Sequence, residues 1–288
     1  MVTSRRILLT GSNGLLGQKL VDKLHNRQNV ELIAASRGPN RCLIPEGYAY
    51  REVDLTQFAQ LERLMREVRP TEVINCAAMT NVDQCEREPQ VCEQLNVDAV
   101  RHLCGLCKET GARLIHLSTD FVFDGQDGPY AEDTTPNPLS VYGRAKLAGE
   151  EILARSGTPH AIVRTVLVYG VLPDMSRSNI VLWAKKSLEA GKEIHVVDDQ
   201  FRSPTLAEDL ADGVLAVLFR DKTGTYHVSG AGLFSVYDIA QEVAKFWGLD
   251  ANLIHRTDSA SLNQAAARPP RTGFIILTPR MGPENGGK

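Results

Sequence analysis

The sequence has no excess of positive charge: formal net charge is -3, with charged residues at 23%. A strongly basic face that would draw the chain to nucleic acid or an anionic membrane is therefore not expected, and small-molecule chemistry is the better reading. Long apolar runs are also missing. The opening stretch MVTSRRILLTGSNGLLG passes from two arginines through a short apolar run to glycines and Asn13. That is neither a signal-peptide core nor a spanning helix, so a cytoplasmic protein without a membrane partner is expected. Cysteine is sparse, with six in 288 residues (Cys42, Cys76, Cys85, Cys92, Cys104, Cys107), too few for a disulfide framework, and they read as reduced. Cys104 and Cys107 form a C-x-x-C, but they lie in VDAVRHLCGLCKETGARL among apolar residues at helical spacing with no second ligand pair nearby. They read as core cysteines, and no metal site is expected. Repeats and low-complexity tracts are absent too.

What is present is rhythm. Short apolar runs (RILLTG, VELIAASR, EVINCAA, RLIHLSTD) alternate with amphipathic segments of helical length (LLGQKLVDKLHNR, LTQFAQLERLMREV, EQLNVDAVRHLCGLCKETG). Strands separated by helix-length crossovers predict an α/β fold, a Rossmann-like doubly wound parallel sheet. HAIVRTVLVYG reads as a further strand. After Gly170 the pattern becomes irregular, which predicts a nucleotide-binding domain over 1–170 and, over 171–288, a smaller, partly interleaved C-terminal substrate lobe from which some segments return to the first domain. The tail 278–288, rich in Gly and Pro, is expected to be flexible.

Gly11, Gly14 and Gly17 form a G-x-x-G-x-x-G array between the first strand and the first helix. Glycines there allow a tight turn and close approach to a pyrophosphate, whose charge the helix N-terminus stabilises, so a dinucleotide is the expected ligand. About 20 residues further on, an NAD site usually places a carboxylate on the ribose hydroxyls. This chain has Ser36 and Arg37 instead, which favours a 2′-phosphate and hence NADPH, with NADH as the lesser option. Asp54 and Leu55 end the third strand, where the adenine is held in such folds. Cys76, Ala77 and Ala78 end the fourth, and are small enough for a cofactor to cross.

HLSTDFVFDG brings Ser118, Thr119 and Asp120 to the next strand end, and PLSVYGRAKLAGEE sets Tyr142 and Lys146 one helical turn apart. A Tyr-x-x-x-Lys pair is weak evidence alone. Its place beside the glycine array and the STD strand end gives it weight.

Together these residues resemble the extended short-chain dehydrogenase/reductases. The strings NCAAMTNVDQCE, HLSTDFVFDG, PNPLSVYGRAKLAGEE, VRTVLVYG, DDQFRSPT, GTYHVSG and AAARPPRTGF resemble, in that order, the dTDP-4-dehydrorhamnose reductase family over about residues 5–275. The resemblance implies NADPH-dependent reduction of a nucleotide-linked 4-keto sugar, favouring dTDP-4-dehydro-L-rhamnose, with Thr119, Tyr142 and Lys146 as the catalytic set. Asn13 and Leu15 join the cofactor residues on this reading. Thr80, Val82, Asp83, Ser118, Thr119, Asp120, Tyr142, Gln200 and Arg202 become substrate contacts, Gln200 and Arg202 at the nucleotide end, and a homodimer is compatible with it. Tyr142 would protonate the alkoxide, the Lys146 ammonium would lower the phenol's pKa and hold the nicotinamide ribose, and Thr119 would bind the carbonyl oxygen. Phe121 stands where the family commonly has Tyr, and Arg202 where it commonly has a small residue. Two alternatives share the motifs. One is a nucleotide-sugar epimerase, against which Ser36 and Arg37 argue. The other is a non-catalytic regulatory subunit resembling the β subunit of methionine adenosyltransferase, which would not require the intact trio.

Overall fold

A computed structural model describes residues 4–44, 46–172 and 178–276. The tail 278–288 lies outside the described residues. The elements follow in order as β1 (Arg5–Thr10), α1 (Leu15–Leu24), β2 (Val30–Ser36), β3 (Ala49–Glu52), α2 (Phe58–Val68), β4 (Glu72–Asn75), α3 (Val82–Arg87), α4 (Pro89–Glu93), α5 (Ala99–Thr110), β5 (Arg113–Thr119) and α6 (Val141–Ser156). They continue as β6 (His160–Thr165), β7 (Val168–Tyr169), α7 (Ile180–Glu189), β8 (Ile194–Val197), β9 (Phe201–Arg202), β10 (Thr205–Leu206), α8 (Ala207–Phe219), β11 (Gly224–His227), β12 (Phe234–Ser235), α9 (Val236–Trp247) and β13 (Ile254–Thr257).

Seven parallel strands form the main sheet in the order β11-β6-β5-β4-β1-β2-β3. Strand order reverses between β1 and β4, and in such sheets ligands bind outside the carboxyl ends at that reversal. The central strands are buried on both faces, which is why they read as unbroken apolar runs. On one face pack α2, α5 and α6, with Leu61, Leu64, Met65 and Val68 of α2 forming its apolar stripe. Each such side chain contributes about 1.5–3 kcal/mol when fully buried. On the other face, Leu20, Val21 and Leu24 of α1 meet Leu210, Val214 and Leu218 of α8. The second half of the chain thus contributes α8 and the edge strand β11 to the first layer system. A smaller core of Ala184, Leu188, Ile194, Val196, Ala240, Val243 and Ile254 joins α7, α9, β8 and β13 beside it. Among the described residues, no helix is long and apolar enough to cross a membrane.

Two segments depart from the sequence reading. HAIVRTVLVYG is not one strand: Leu167 adopts a left-handed backbone (φ 39°), and after this break β7 leaves the main sheet to pair with β10. The segment EQLNVDAVRHLCGLCKETG is helical but carries a wide π turn at Gln94–Asp98 between α4 and α5. There the buried Asn96 side chain donates to Met79 O (3.0 Å) and accepts from Met79 N (2.9 Å), which ties the helix to the segment after β4.

Candidate active site

The carboxyl ends of β1 and β4 meet so closely that only glycine fits between them. Gly11 has φ +71°, and a Cβ there would lie 2.6 Å from Ala77 N and 2.7 Å from Cys76 C. Gly17 sits on the first turn of α1, where a Cβ would approach Gly11 O to 2.3 Å. The glycines therefore draw the helix start and both strand ends into one shallow cradle, with Gly14 as the N-cap of α1 and Leu15 its first residue. Asn13 reaches sideways from this loop. Its Nδ2 donates to Pro39 O (2.9 Å) and Arg37 O (3.3 Å), and its Oδ1 accepts from Arg41 N (3.0 Å). The loop bearing Arg37 is thereby fixed beside the cradle, with the Arg37 side chain exposed. Asp54 is occupied locally, its Oδ1 accepting from Thr56 N (2.9 Å) and Thr56 Oγ1 (2.7 Å) in a turn that leads into α2. Leu55 is buried in the core, while Cys76, Ala77 and Ala78 line the β4 end half-buried.

The trio expected to be catalytic, Thr119, Tyr142 and Lys146, is supplied by β5 and α6. Ser140 caps α6, its Oγ accepting from Gly143 N (3.1 Å), and so sets Tyr142 and Lys146 on the face turned to β5. Thr119, Tyr142 and Lys146 are all buried. Burial raises the Tyr142 pKa above its ordinary value, a hydrogen bond with Thr119 opposes this, and Asp120 adds to the rise. The expectation that Lys146 would lower the phenol's pKa is thus corrected. The Lys146 amine is turned instead onto β5, 2.6 Å from Leu117 O and 3.1 Å from His116 Nε2. Sharing a helical face does not make two side chains partners when a buried carbonyl lies within reach of one. A phenol held above its usual pKa stays protonated at neutral pH, the state a proton donor requires.

Next to the trio, polar groups satisfy one another across the two halves of the chain. Thr119 Oγ1 donates to Asp120 Oδ1 (3.0 Å), Thr272 donates to Asp120 Oδ2, and the Arg202 guanidinium lies 4.0 Å from the same carboxylate. Burial raises the Asp120 pKa, with Arg202 acting against it. Arg202 is itself buried. It donates to Phe201 O (2.7 Å) and Gln200 Oε1 (3.4 Å) and lies over the Phe121 ring, 5.7 Å from its centroid. The Phe121 ring meets Tyr142 edge-on at 5.8 Å. Phe121 and Arg202, the two residues unusual for the resembled pattern, are therefore neighbours. Gln200 Nε2 donates to Ser259 Oγ (2.7 Å). Asp83 accepts from Arg268 (2.7 and 3.1 Å) and from Ala266 N (3.1 Å), while Val82 beside it begins α3 half-buried and Thr80 is exposed at the rim.

Reading the sequence alone missed His116, Asn96, Arg268 and Thr272. For His116 the signal was there: a histidine at the centre of the apolar strand RLIHLST has to find buried partners. Arg268 and Thr272 lie in AAARPPRTGF, far along the chain from Asp83 and Asp120, and no local pattern announces those pairings.

The residues present fit a dinucleotide. Ser12 Oγ in the glycine loop is buried and makes no hydrogen bond among the described residues, as expected of a group awaiting a ligand's polar atoms. No cluster of His, Cys, Asp and Glu suited to a metal occurs among the described residues. A parallel sheet with a glycine cradle at its reversal and a Tyr-x-x-x-Lys helix beside it defines an oxidoreductase of the short-chain dehydrogenase type.

Comparison with known proteins narrows the class. The family model described as the RmlD substrate binding domain matches residues 5–275. A dTDP-4-dehydrorhamnose reductase of Streptomyces griseus is 36% identical over 275 residues, covering 92% of this chain and 83% of that protein. The crystal structure of the dTDP-4-dehydrorhamnose reductase of Bacillus anthracis in complex with NADP superposes with a TM-score of 0.81 at 29% identity, over 96% of this chain and 92% of that one. The methionine adenosyltransferase 2 subunit beta of Xenopus laevis is 32% identical over 257 residues, covering 87% of this chain and 75% of that protein. The chain belongs to the dTDP-4-dehydrorhamnose reductase family, a family of NADP-dependent oxidoreductases.

Proposed function

We propose that this protein reduces the 4-keto group of a dTDP-linked 6-deoxyhexose, dTDP-4-dehydro-L-rhamnose to dTDP-L-rhamnose, with NADPH. The observation that carries the reading is the meeting of Thr119, Tyr142 and Lys146 beside the cradle of Gly11 and Gly17, with the buried Ser12 hydroxyl left unpaired in the glycine loop. The cradle of Gly11, Gly14 and Gly17 would hold NADPH, which when bound would supply the hydride for the carbonyl carbon. The carbonyl oxygen would then gather negative charge, which Thr119 Oγ1 stabilises by turning its proton from Asp120 Oδ1 to that oxygen. Tyr142 donates its phenolic proton to that oxygen, completing the alcohol, and the phenol is reprotonated from solvent. Lys146 contributes donors for the ribose of the dinucleotide, and Asn13 holds the loop on which Arg37 reads the 2′-phosphate. Phe121 and Arg202 shape the pocket around the sugar, and Asp120 orients Thr119. The soluble enzyme would act in the cytoplasm.

NADPH oxidation measured against a panel of nucleotide-linked 4-keto sugars tests the proposal. Turnover with the dTDP-6-deoxy-4-keto sugar and slower turnover with UDP- or GDP-linked analogues is expected. No turnover with any of them would favour the regulatory-subunit reading, to which the similarity with the Xenopus laevis protein gives substance. The intact trio speaks for catalysis.

A further inference from the structure

A chain of buried polar groups runs inward from Lys146, beneath the sheet end rather than toward the substrate. Lys146 Nζ lies 3.1 Å from His116 Nε2, His116 Nδ1 lies 3.1 Å from Asn75 Nδ2, and Asn75 Oδ1 accepts from Thr10 Oγ1 (2.7 Å) and from Ala77 N (3.2 Å). The chain crosses β5, β4 and β1, and Thr10, Asn75, His116 and Lys146 are all buried.

Its proton arrangement follows from one fixed donor. The Ala77 backbone N–H can only donate, so the atom of Asn75 facing it is the carbonyl oxygen. The amide nitrogen of Asn75 then faces His116 and donates to Nδ1, which must be bare. A neutral imidazole with a bare Nδ1 carries its proton on Nε2, and that N–H points at Lys146 Nζ. An ammonium there would set donor against donor, whereas an amine accepts from Nε2–H and still donates to Leu117 O at 2.6 Å. We propose that His116, aimed by Asn75, is a positioning residue that holds Lys146 as a neutral amine against β5 in the ligand-free protein, so that Lys146 takes up a proton when it engages the cofactor.

The surroundings agree. Burial lowers the Lys146 pKa to about 8, so that the neutral amine becomes the main form above that pH, and holds that of His116 well below its usual value. The other groups facing Lys146 are Cys76 after β4, Cys92 on α4, Glu150 one turn on along α6 and Tyr142 one turn back. Of these, Glu150, Cys76 and Cys92 favour the charged form and are outweighed by burial. The proton uptake rests on the NADPH reading given above, whereas the resting tautomer does not.

Two measurements on the full chain separate these parts. Nitrogen-15 NMR of the histidine rings should show His116 with a protonated Nε2 and a bare Nδ1. In Asn75→Asp the carboxylate can still accept from Ala77 N and Thr10, but it now also accepts from His116. The tautomer should reverse to Nδ1–H, and the bare Nε2 should then accept from a Lys146 ammonium. Calorimetry of NADPH binding in buffers of different ionisation enthalpy, at a pH above 8, should show uptake of about one proton in the wild type and little in Asn75→Asp. A wild-type His116 with its proton on Nδ1 overturns the proposal, whether or not NADPH binds, and this holds even if Asn75→Asp does not fold. So does equal proton uptake in two proteins that differ in tautomer. An absence of NADPH binding with the Nε2–H tautomer present overturns the cofactor reading and leaves His116's placement of Lys146 standing.

Discussion

Two sides of the candidate site treat their buried polar groups in opposite ways. On the side proposed for the cofactor, around Gly11 and the ends of β1 and β4, Ser12 Oγ is buried with nothing to bond among the described residues. On the side proposed for the sugar, Asp120, Thr272, Arg202, Gln200 and Ser259 bond one another, and Asp83 is taken by Arg268. An unpaired buried hydroxyl costs about 1–3 kcal/mol, so the first side gives up stability that a ligand can restore. The second has spent its polar groups on joining the halves of the chain. Binding residues and joining residues look alike in a sequence, and the difference lies in whether their partners are internal.

The comparison is broken most forcefully at Tyr142. Replacing it by Phe keeps the ring against Phe121 and removes the proton donor, so kcat should fall by about 10²- to 10⁴-fold while NADPH affinity stays near wild type. Stopped-flow NADPH oxidation and fluorescence titration of NADPH measure the two, and retention of most of the turnover would show that another group supplies the proton. The joining side should answer in stability instead. Arg202→Met strands the Asp120 carboxylate in a buried site and should cost about 3 kcal/mol in urea unfolding, the lower end for a broken buried pair because the partners are 4.0 Å apart. A loss confined to the KM of the nucleotide sugar would place Arg202 among the binding residues. Arg37→Ala should weaken NADPH by about 1.5–3 kcal/mol, leave NADH nearly unchanged and not alter unfolding, as titration with both cofactors would reveal.

The smallest effect concerns acid. Arg268 holds the Asp83 pKa below its ordinary value, helped by the Ala266 N–H. A carboxylate with a depressed folded pKa adds stability that is present above its unfolded pKa near 4 and is lost as pH falls through the folded value. Asp83→Asn should therefore cost about 1 kcal/mol at neutral pH and flatten the decline in stability below pH 4, seen in unfolding curves across that range. An unchanged acid slope would mean that Asp83 adds nothing through Arg268.

The main sheet was legible because β1, β2, β4, β5 and β6 are apolar runs and the crossovers to β2, β4, β5 and β6 carry helical stripes, so local pattern and global position agree; β3, a half-exposed Ala-Tyr-Arg-Glu joined to β2 without a helix, is the exception. Gly11, Tyr142 and Lys146 were legible for a related reason, since their spacing is itself the geometry. The break at Leu167 was not, because nothing in VRTVLVYG marks a left-handed residue, and pairing with β10 is decided nearly 40 residues later. Nor was the direction of the Tyr142 shift, which depends on how deeply the ring is buried. The links from Asp120 to Thr272 and from Asp83 to Arg268 arise from packing between distant segments, which carries no spacing to read.

The wide turn at Gln94–Asp98 is in effect a spare residue inserted into an otherwise regular helix. Deleting one residue there would restore ordinary winding and, because the wide turn has already absorbed the extra residue, leave α4 and α5 facing nearly as they do while moving the side chains inside the turn. Asn96 could then no longer clasp both the N–H and the carbonyl of Met79. The stretch from Cys76 to Met79 would lose its anchor, although no residue of the candidate site had been altered. Helix length in this segment is thus a hidden coordinate of the site, and an alignment that closes the gap for neatness would erase it.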